Sequence, residues 1–529
     1  MKRLLFLFIL FGCEQRETPQ PSFIFTEVQT DITPTVCGSK DATQIIEVNG
    51  TGLALFDYDN DGDLDVFVVN ASDQPCRLYE NISDGSIVFL DVTEDKKIDV
   101  KRWANGVAVG DVNGDGFEDL YLTCFGPNVL LMNNGGKSFT DITEQAGVGD
   151  ARWGTSAAFG DLDNDGDLDL YVCNYLEFDS KNPPPRAKYK GTSVLGGPHG
   201  MIPESDIVYE NMGDGAFSDA TEAWQLDAPP AFSLNVVILD VDGDGMQDIY
   251  VGNDSMANFL FKNNGRNSGE RFIQEGIHSG LAVNGDGSMQ ATMGIAIADV
   301  DGSGSPDFFT TNFSSDTNTL MLQMDNYFED RTNLYGLGLL SRTLLGWSCG
   351  FHDFDLDGDE DLLVVNGHVY PEATANTMDS DLFQPMLWMS RVGKRFVKVE
   401  AQKNPKKYQD RAAVFGDLDG DGDTDVIVSQ RNGPVRVLRN DAVGAEPLVI
   451  HLEGHALGAA LKLTLDDGSV ISRWNHSGGG FQSSVSTNPT FTFHTGRVPV
   501  KLDITWGNGN SQTCSVVPNS GDFIVTQID

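Results

Sequence analysis

Seven times along the chain a short apolar run breaks into an acidic stretch and then resumes as a second apolar run. Before the break stand segments such as GLALF, GVAVG, SAAFG, NVVIL and GIAIA, and after it VFVVN, LYLTC, LYVCN, IYVGN, FFTTN and LLVVN. Runs this short, rich in β-branched and aromatic residues, predict strands rather than helices, so each acidic stretch is a hairpin connection. Further on, NVLLMNNGGKSFTDIT from 128 and IVYENMGDGAFSDAT from 207 predict a third and a fourth strand. Four antiparallel strands per repeat, repeated seven times, predict an all-β fold with a seven-bladed β-propeller as its body. The longest inserted loop falls at about 175–205, in the third repeat. The last repeat stops at VRVLRN without an outer strand, whereas Phe25 to Val28 reads as such a strand without a blade. The two ends are therefore expected to complete one blade.

The acidic stretches align as DYDNDGDLD from 57, DVNGDGFED from 111, DLDNDGDLD from 161, DVDGDGMQD from 240, DVDGSGSPD from 299, DFDLDGDED from 353 and DLDGDGDTD from 417. Calcium takes six to eight oxygen ligands, and alternating acidic positions turn several oxygens inward within a few residues. Positions one, three, five and nine supply side-chain oxygens, position seven a carbonyl, and the Gly at position six lets the chain turn around the ion. The predicted ligands are Asp57, Asp59, Asp61 and Asp65; Asp111, Asn113, Asp115 and Asp119; Asp161, Asp163, Asp165 and Asp169; Asp240, Asp242, Asp244 and Asp248. The last three loops add Asp299, Asp301, Ser303 and Asp307; Asp353, Asp355, Asp357 and Asp361; Asp417, Asp419, Asp421 and Asp425. This gives up to seven Ca2+ sites, with Asn113 and Ser303 marking the weaker ones. Left without a cation, such loops would crowd carboxylates that repel one another.

Composition sharpens this picture. Among 529 residues, 78 Asp plus Glu stand against 35 Lys plus Arg, a formal net charge of −43 that repels nucleic acid and anionic lipid. With 40% apolar residues the chain is not a solvated acidic tail. MKRLLFLFILFGCEQRE at the start pairs two basic residues with an apolar stretch too short to span a bilayer, which predicts export. Leu10 and Gly12 before Cys13 resemble a bacterial lipobox, which implies a lipid anchor on Cys13; a plain secretory signal is the alternative. Outer membrane or cell surface is the expected location, with the anchor as the sole membrane contact. The other six cysteines show neither CxxC nor Cys/His spacing, so zinc is not predicted, and their pairing stays open.

The loops with their flanks resemble the FG-GAP or VCBS repeats of integrin α-chain propellers. The whole chain resembles the ASPIC/UnbV family, which includes cartilage acidic protein, through MGIAIADVDGSGSPDFFTTNFSSDTNTL, GWSCGFHDFDLDGDEDLLVVNGHVYP and GGPHGMIPESDIVYENMGDGAFSDAT. HALGAALKLTLDDGS, SGGGFQSS, FTFHTG and LDITWGNG carry the resemblance through the tail, read as a small β-sandwich-like module. Where family members often have Cys-Gly-Pro, this chain has Gly196-Gly197-Pro198, so a disulfide from that Cys is absent. The resemblance implies the propeller, calcium binding, and matrix, adhesion or recognition roles.

The expected organisation is a signal peptide at 1–12, a tether at 13–22, the propeller at 23–443 and the C-terminal β-domain at 444–529. No GxSxG, HExxH or phosphate loop is present, so the expected function is binding of a protein or glycan rather than catalysis. The alternative is an enzymatic or metal-dependent site built from His199, His352 and His368 on a propeller face. A recurring Asn at the end of the post-loop strand, Asn70, Asn174, Asn253, Asn312 and Asn366, caps that strand or faces a ligand beside Tyr175, Asp254 and Phe313.

Overall fold

A computed structural model of the chain describes residues 23–528 except 214, 326, 495 and 517–521, so the export signal, Cys13 and the tether lie outside the described residues. Each acidic repeat folds as four strands paired in sequence order. In the first these are Leu53–Phe56, Asp65–Val68, Arg77–Asn81 and Phe89–Asp91. Equivalent sheets start with Ala104–Gly110, Gly154–Gly160, Ser233–Leu239, Ile295–Ala298 and Gly346–His352. The seventh takes Asp410–Gly416, Asp425–Gln430 and Arg436–Arg439 from late in the chain and its outer strand, Thr26–Val28, from the beginning.

The apolar pattern follows from where each strand lies. The first strands touch one another in the order of the repeats, and the seventh returns to the first, so the sheets close into a propeller-like ring. Each first strand is covered on both faces by neighbouring sheets, which is why it reads as a continuous apolar run rather than an alternating one. Every residue of Ala104–Gly110, Gly154–Gly160 and Ser233–Leu239 is buried. The outer strands keep one buried apolar residue, as in Phe89–Asp91 and Phe139–Asp141, and are short, which leaves little open sheet edge.

The tail forms two more sheets. One joins Leu448–Glu453, Thr490–Phe491 and Asp522–Thr526; the other joins Ala460–Leu465, Val470–Trp474, Pro499–Thr505 and Ser511–Ser515. Leu461, Leu463, Phe491, Leu502 and Trp506 fill the core between them. The tail is not self-contained, however. Residues 477–485 leave it and enter the centre of the ring.

There Ser477–Gly478 adds to the first strand of the fourth sheet, and Ser484–Val485 runs parallel to that of the first. Val107 N donates to Gln482 O at 3.2 Å, Ile295 N to Gly479 O at 2.8 Å and Leu53 N to Ser483 Oγ at 3.1 Å. Phe481 is fully buried, its ring 4.6 Å from that of Trp347. The glycines on both sides allow this closeness, since a Cβ on Gly52 would lie 1.7 Å from Gln482 O. The segment thus fills the ring with chain and satisfies backbone groups that the inner strands turn toward the axis.

Candidate metal centres

In every hairpin the residue before position one pairs with position nine: Phe56 with Asp65, Gly110 with Asp119, Gly160 with Asp169, Leu239 with Asp248, Ala298 with Asp307, His352 with Asp361, and Gly416 with Asp425. The acidic loop is the turn between. Its position-one carboxylate folds over it, as Asp57 accepts from Asp61 N at 3.1 Å and Gly62 N at 2.9 Å. Asp111, Asp161, Asp240, Asp353 and Asp417 repeat both bonds, and Asp299 makes the one to Gly304. Position six has φ of 86 to 100° in all seven loops. Position four is also left-handed, with φ of 54 to 77° at Asn60, Gly114, Asn164, Gly243, Gly302, Leu356 and Gly420. Sequence reasoning passed over position four, although Asn or Gly in six of the seven copies carries its signal.

Position nine has a second role that spacing alone did not reveal. One oxygen of Asp65 accepts from Tyr58 N at 3.1 Å, and the other from Asn81 N at 2.8 Å at the end of the third strand. Asp119, Asp169, Asp248, Asp307 and Asp425 do the same. These carboxylates are buried. Burial, only partly offset by the N–H bonds, pushes Asp65 up to about 8, Asp119 and Asp307 to about 7, Asp361 to about 9 and Asp425 to about 8, with neighbouring carboxylates adding to the rise. Asp161 and Asp353 at position one reach about 7 for the same leading reason.

The loops bring carboxylates together as the spacing requires. Oxygens of Asp57, Asp59 and Asp61 lie within 4.8 Å of one another, as do those of Asp161, Asp163 and Asp169, of Asp240, Asp242 and Asp248, of Asp299, Asp301 and Asp307, and of Asp353, Asp355 and Asp357. Several such oxygens are buried without a hydrogen-bond partner, among them Asp299 Oδ1, Asp361 Oδ2 and Asp419 Oδ1. A buried carboxylate oxygen without a donor is costly, and a proton or a bound cation can offset it. An all-oxygen set without nitrogen or sulfur suits a hard divalent ion. These clusters can therefore hold metal ions.

The loops are not identical. Arg266 reaches Asp163 and lies 3.1 Å from Asp165, and Lys262 pairs with Asp242, so the third and fourth loops have an internal cation as a competitor. The tail also reaches two loops: on the sixth, His494 Nδ1 donates to Asp357 O at 2.6 Å and Arg473 pairs with Glu360, and on the fourth, Gln247 Nε2 donates to Gly507 O at 2.8 Å.

A ring of side chains ties the loops to each other. The residue at or next to the end of each third strand, whose N–H meets the position-nine carboxylate, donates its side chain to the position-two carbonyl of the preceding loop: Asn81 to Leu418, Asn133 to Tyr58, Asn211 to Val112, Asn263 to Leu162, Gln323 to Val241, Arg391 to Val300 and Asn440 to Phe354. All seven bonds are 2.7 to 3.0 Å long. This latch was missed in the sequence because its residue sits outside the acidic repeat.

The histidines do not form one site. His352 ends the first strand of the sixth sheet at its acidic loop, stacked on Phe415 with ring centroids 4.5 Å apart. His368 lies beyond Asn366, at the opposite end of the same hairpin, because His352 pairs with Asp361 and Gly346 with Asn366. At about 3.4 Å per residue these ends are some 17 Å apart. His368 is fully buried; its Nδ1 accepts from Tyr370 N at 3.1 Å, and its Nε2 lies 3.1 Å from Ser314 Oγ. His199 is exposed. The three-histidine reading is corrected accordingly. The recurring Asn residues are buried caps: Asn70 donates to Pro75 O, Asn174 to Ser205 O, Asn253 to Ala257 O, Asn312 to Thr317 O and Asn366 to Pro385 O.

Fold and loops together define an all-β, propeller-like protein of FG-GAP-like repeats that ends in an ASPIC and UnbV domain. The repeats match at residues 57–122, 111–172 and 240–310, and the domain at 451–528. Among individual proteins the chain is similar to cartilage acidic protein 1 of Xenopus tropicalis, 25% identical over 96% of this chain and 76% of that protein. Two solved structures with a likeness are an Agrocybe aegerita lectin described as recognising non-reducing terminal N-acetylglucosamine and the V. cholerae biofilm matrix protein Bap1. The lectin is 15% identical with a TM-score of 0.38, over 74% of this chain and 90% of its own. Bap1 is 11% identical with a TM-score of 0.29, over 92% of this chain and 76% of its own.

Proposed function

We propose that the chain is an exported, lipid-anchored, calcium-loaded seven-bladed propeller that binds a protein or glycan and performs no catalysis. The observation that carries this reading is the recurrence of one oxygen-only loop on seven equivalent hairpins, with carboxylates converging in a left-handed turn. Calcium would be held by positions one, three, five and nine of each loop. It would neutralise the crowded carboxylates and lock each hairpin to its neighbour through the latch residues. A ring made rigid in this way is a platform for recognition, and its acidic surface favours partners other than nucleic acid. Extracellular calcium modules of this kind bind at about 10⁻⁴ to 10⁻³ M, matched to a compartment outside the cytoplasm.

Equilibrium dialysis of the soluble chain against millimolar calcium tests the reading. The expected result is several calcium ions per chain, approaching seven, with the loops facing Arg266 and Lys262 filling last. Uptake of one ion or none would overturn it.

A further inference from the structure

The face opposite the acidic loops carries a cavity over the centre of the ring. It encloses about 50 Å³, room for a few non-hydrogen atoms. It is lined by Leu234, Met293 and Trp347, by Leu195 and Pro198 from the third-repeat insertion, and by Tyr175 and Tyr370. Of the lining residues, Asp254 alone carries a charge.

Asp254 is held rigidly but not neutralised. Its backbone N donates to Phe232 O at 2.8 Å, Tyr175 OH donates to Oδ2 at 2.7 Å, and Ser255 OH donates to Oδ1 at 2.9 Å. Among the described residues no Lys or Arg forms an ion pair with it; the nearby cationic influence is that of the exposed His199. Burial raises its pKa above the usual carboxylate range. In the same lining, Asn49 Nδ2 is buried without a hydrogen-bond partner. Phe313 and Tyr370, both lining the cavity, stand with ring centroids 5.9 Å apart, and behind them Tyr189 packs 5.7 Å from each and carries Lys190 Nζ 5.8 Å from its ring.

A rigid carboxylate with no counter-ion, set among aromatic rings, favours a cation: the charge pair gains in a poorly solvated site, and ring faces attract ammonium groups. A neutral sugar would call for several placed donors and acceptors, and the side chains here offer one carboxylate, one amide and two tyrosine hydroxyls, of which that of Tyr175 already donates to Asp254. We propose that the cavity binds the ammonium end of an alkylamine, with the nitrogen at Asp254 and the methylenes against the apolar wall. The amine is either a free molecule or a lysine side chain of a partner protein. This rests on the reading of the chain as a binding module and names the chemistry of its ligand.

The test uses the soluble chain in saturating calcium and 0.15 M salt, with n-butylammonium and n-butanol as probes followed by saturation-transfer NMR. The amine is expected to bind and the alcohol, equal in shape but neutral, to bind at least tenfold more weakly. Asp254→Asn, checked for an unchanged melting temperature, is expected to lower amine affinity at least tenfold. A lysine-containing peptide that displaces the amine points to a protein partner, and failure to displace it points to a free amine; both support the proposal. Equal binding of amine and alcohol, no binding of either, or full amine binding by folded D254N would overturn it. A chain that takes up calcium but ignores butylammonium contradicts this proposal alone and leaves the calcium reading standing.

Discussion

His368 shows how a titratable residue can serve packing. Burial pulls its pKa down to about 3, helped by the positive charges of Arg411 and Lys190, so the folded protein keeps the imidazole neutral while the unfolded chain protonates it near 6.5. Between those values the unfolded state binds more protons. The neutral ring therefore contributes stability above about pH 6.5 that is lost as the pH falls toward 3, with a slope of up to about 1.4 kcal/mol per pH unit. His368→Asn keeps an acceptor for Tyr370 N and removes the titration. Urea denaturation of the calcium-loaded chain at pH 7 and pH 5 should show a smaller acid loss in the variant; an equal loss would mean that His368 does not titrate on unfolding. In the sequence this residue looked like a functional histidine because it follows the post-loop strand of the sixth repeat at a propeller face, and nothing in one dimension shows that Phe313 and Tyr370 close around it at 5.5 and 5.4 Å.

At the level of elements, the acidic hairpin and its latch act as one unit. Asp119 receives the N–H of Asn133, and Asn133 Nδ2 in turn donates to Tyr58 O at 2.8 Å and Glu118 O at 3.1 Å. Its Oδ1 also accepts from Gly136 N at 2.9 Å. Asn133→Ala strands these buried groups, and an unpaired buried group costs about 1–3 kcal/mol. The expected loss is about 2–3 kcal/mol in chemical denaturation, against less than about 0.5 kcal/mol for Asn134→Ala, whose side chain is exposed. Equal effects would remove the latch from the account. The hairpin itself was legible, because nine residues with a fixed Gly and flanking apolar runs specify strand, turn and strand locally. The latch was not, because its meaning depends on which sheet stands next to it. Leu356, left-handed at a position that elsewhere is Asn or Gly, shows the same limit: it is buried and its carbonyl accepts from Ala445 N at 3.0 Å, so the tail rather than local preference holds it there.

Across the whole molecule, closure is the common theme. Thr26–Val28 completes the seventh sheet, and residues 477–485 fill the axis, so the start of the described chain and a segment of the tail are both built into the ring. The missing outer strand after VRVLRN made the first closure readable, whereas SGGGFQSS read only as a Gly-rich part of the tail's family resemblance. Its destination depends on the width left between seven inner strands, which no single repeat encodes. Together these contacts make the ring a rigid frame whose remaining weakness is electrostatic: the carboxylates at position nine are buried beside other carboxylates, which a bound cation would offset. A calcium site filled at tenfold excess over its Kd adds about 1.4 kcal/mol, and several acting together rival the whole stability of an ordinary domain. The melting temperature of residues 14–529 in millimolar calcium and in excess EGTA puts that claim to the test. The account predicts a drop of about ten degrees or more on chelation; an unchanged melting temperature would contradict it and leave the seven acidic loops without calcium as their structural partner.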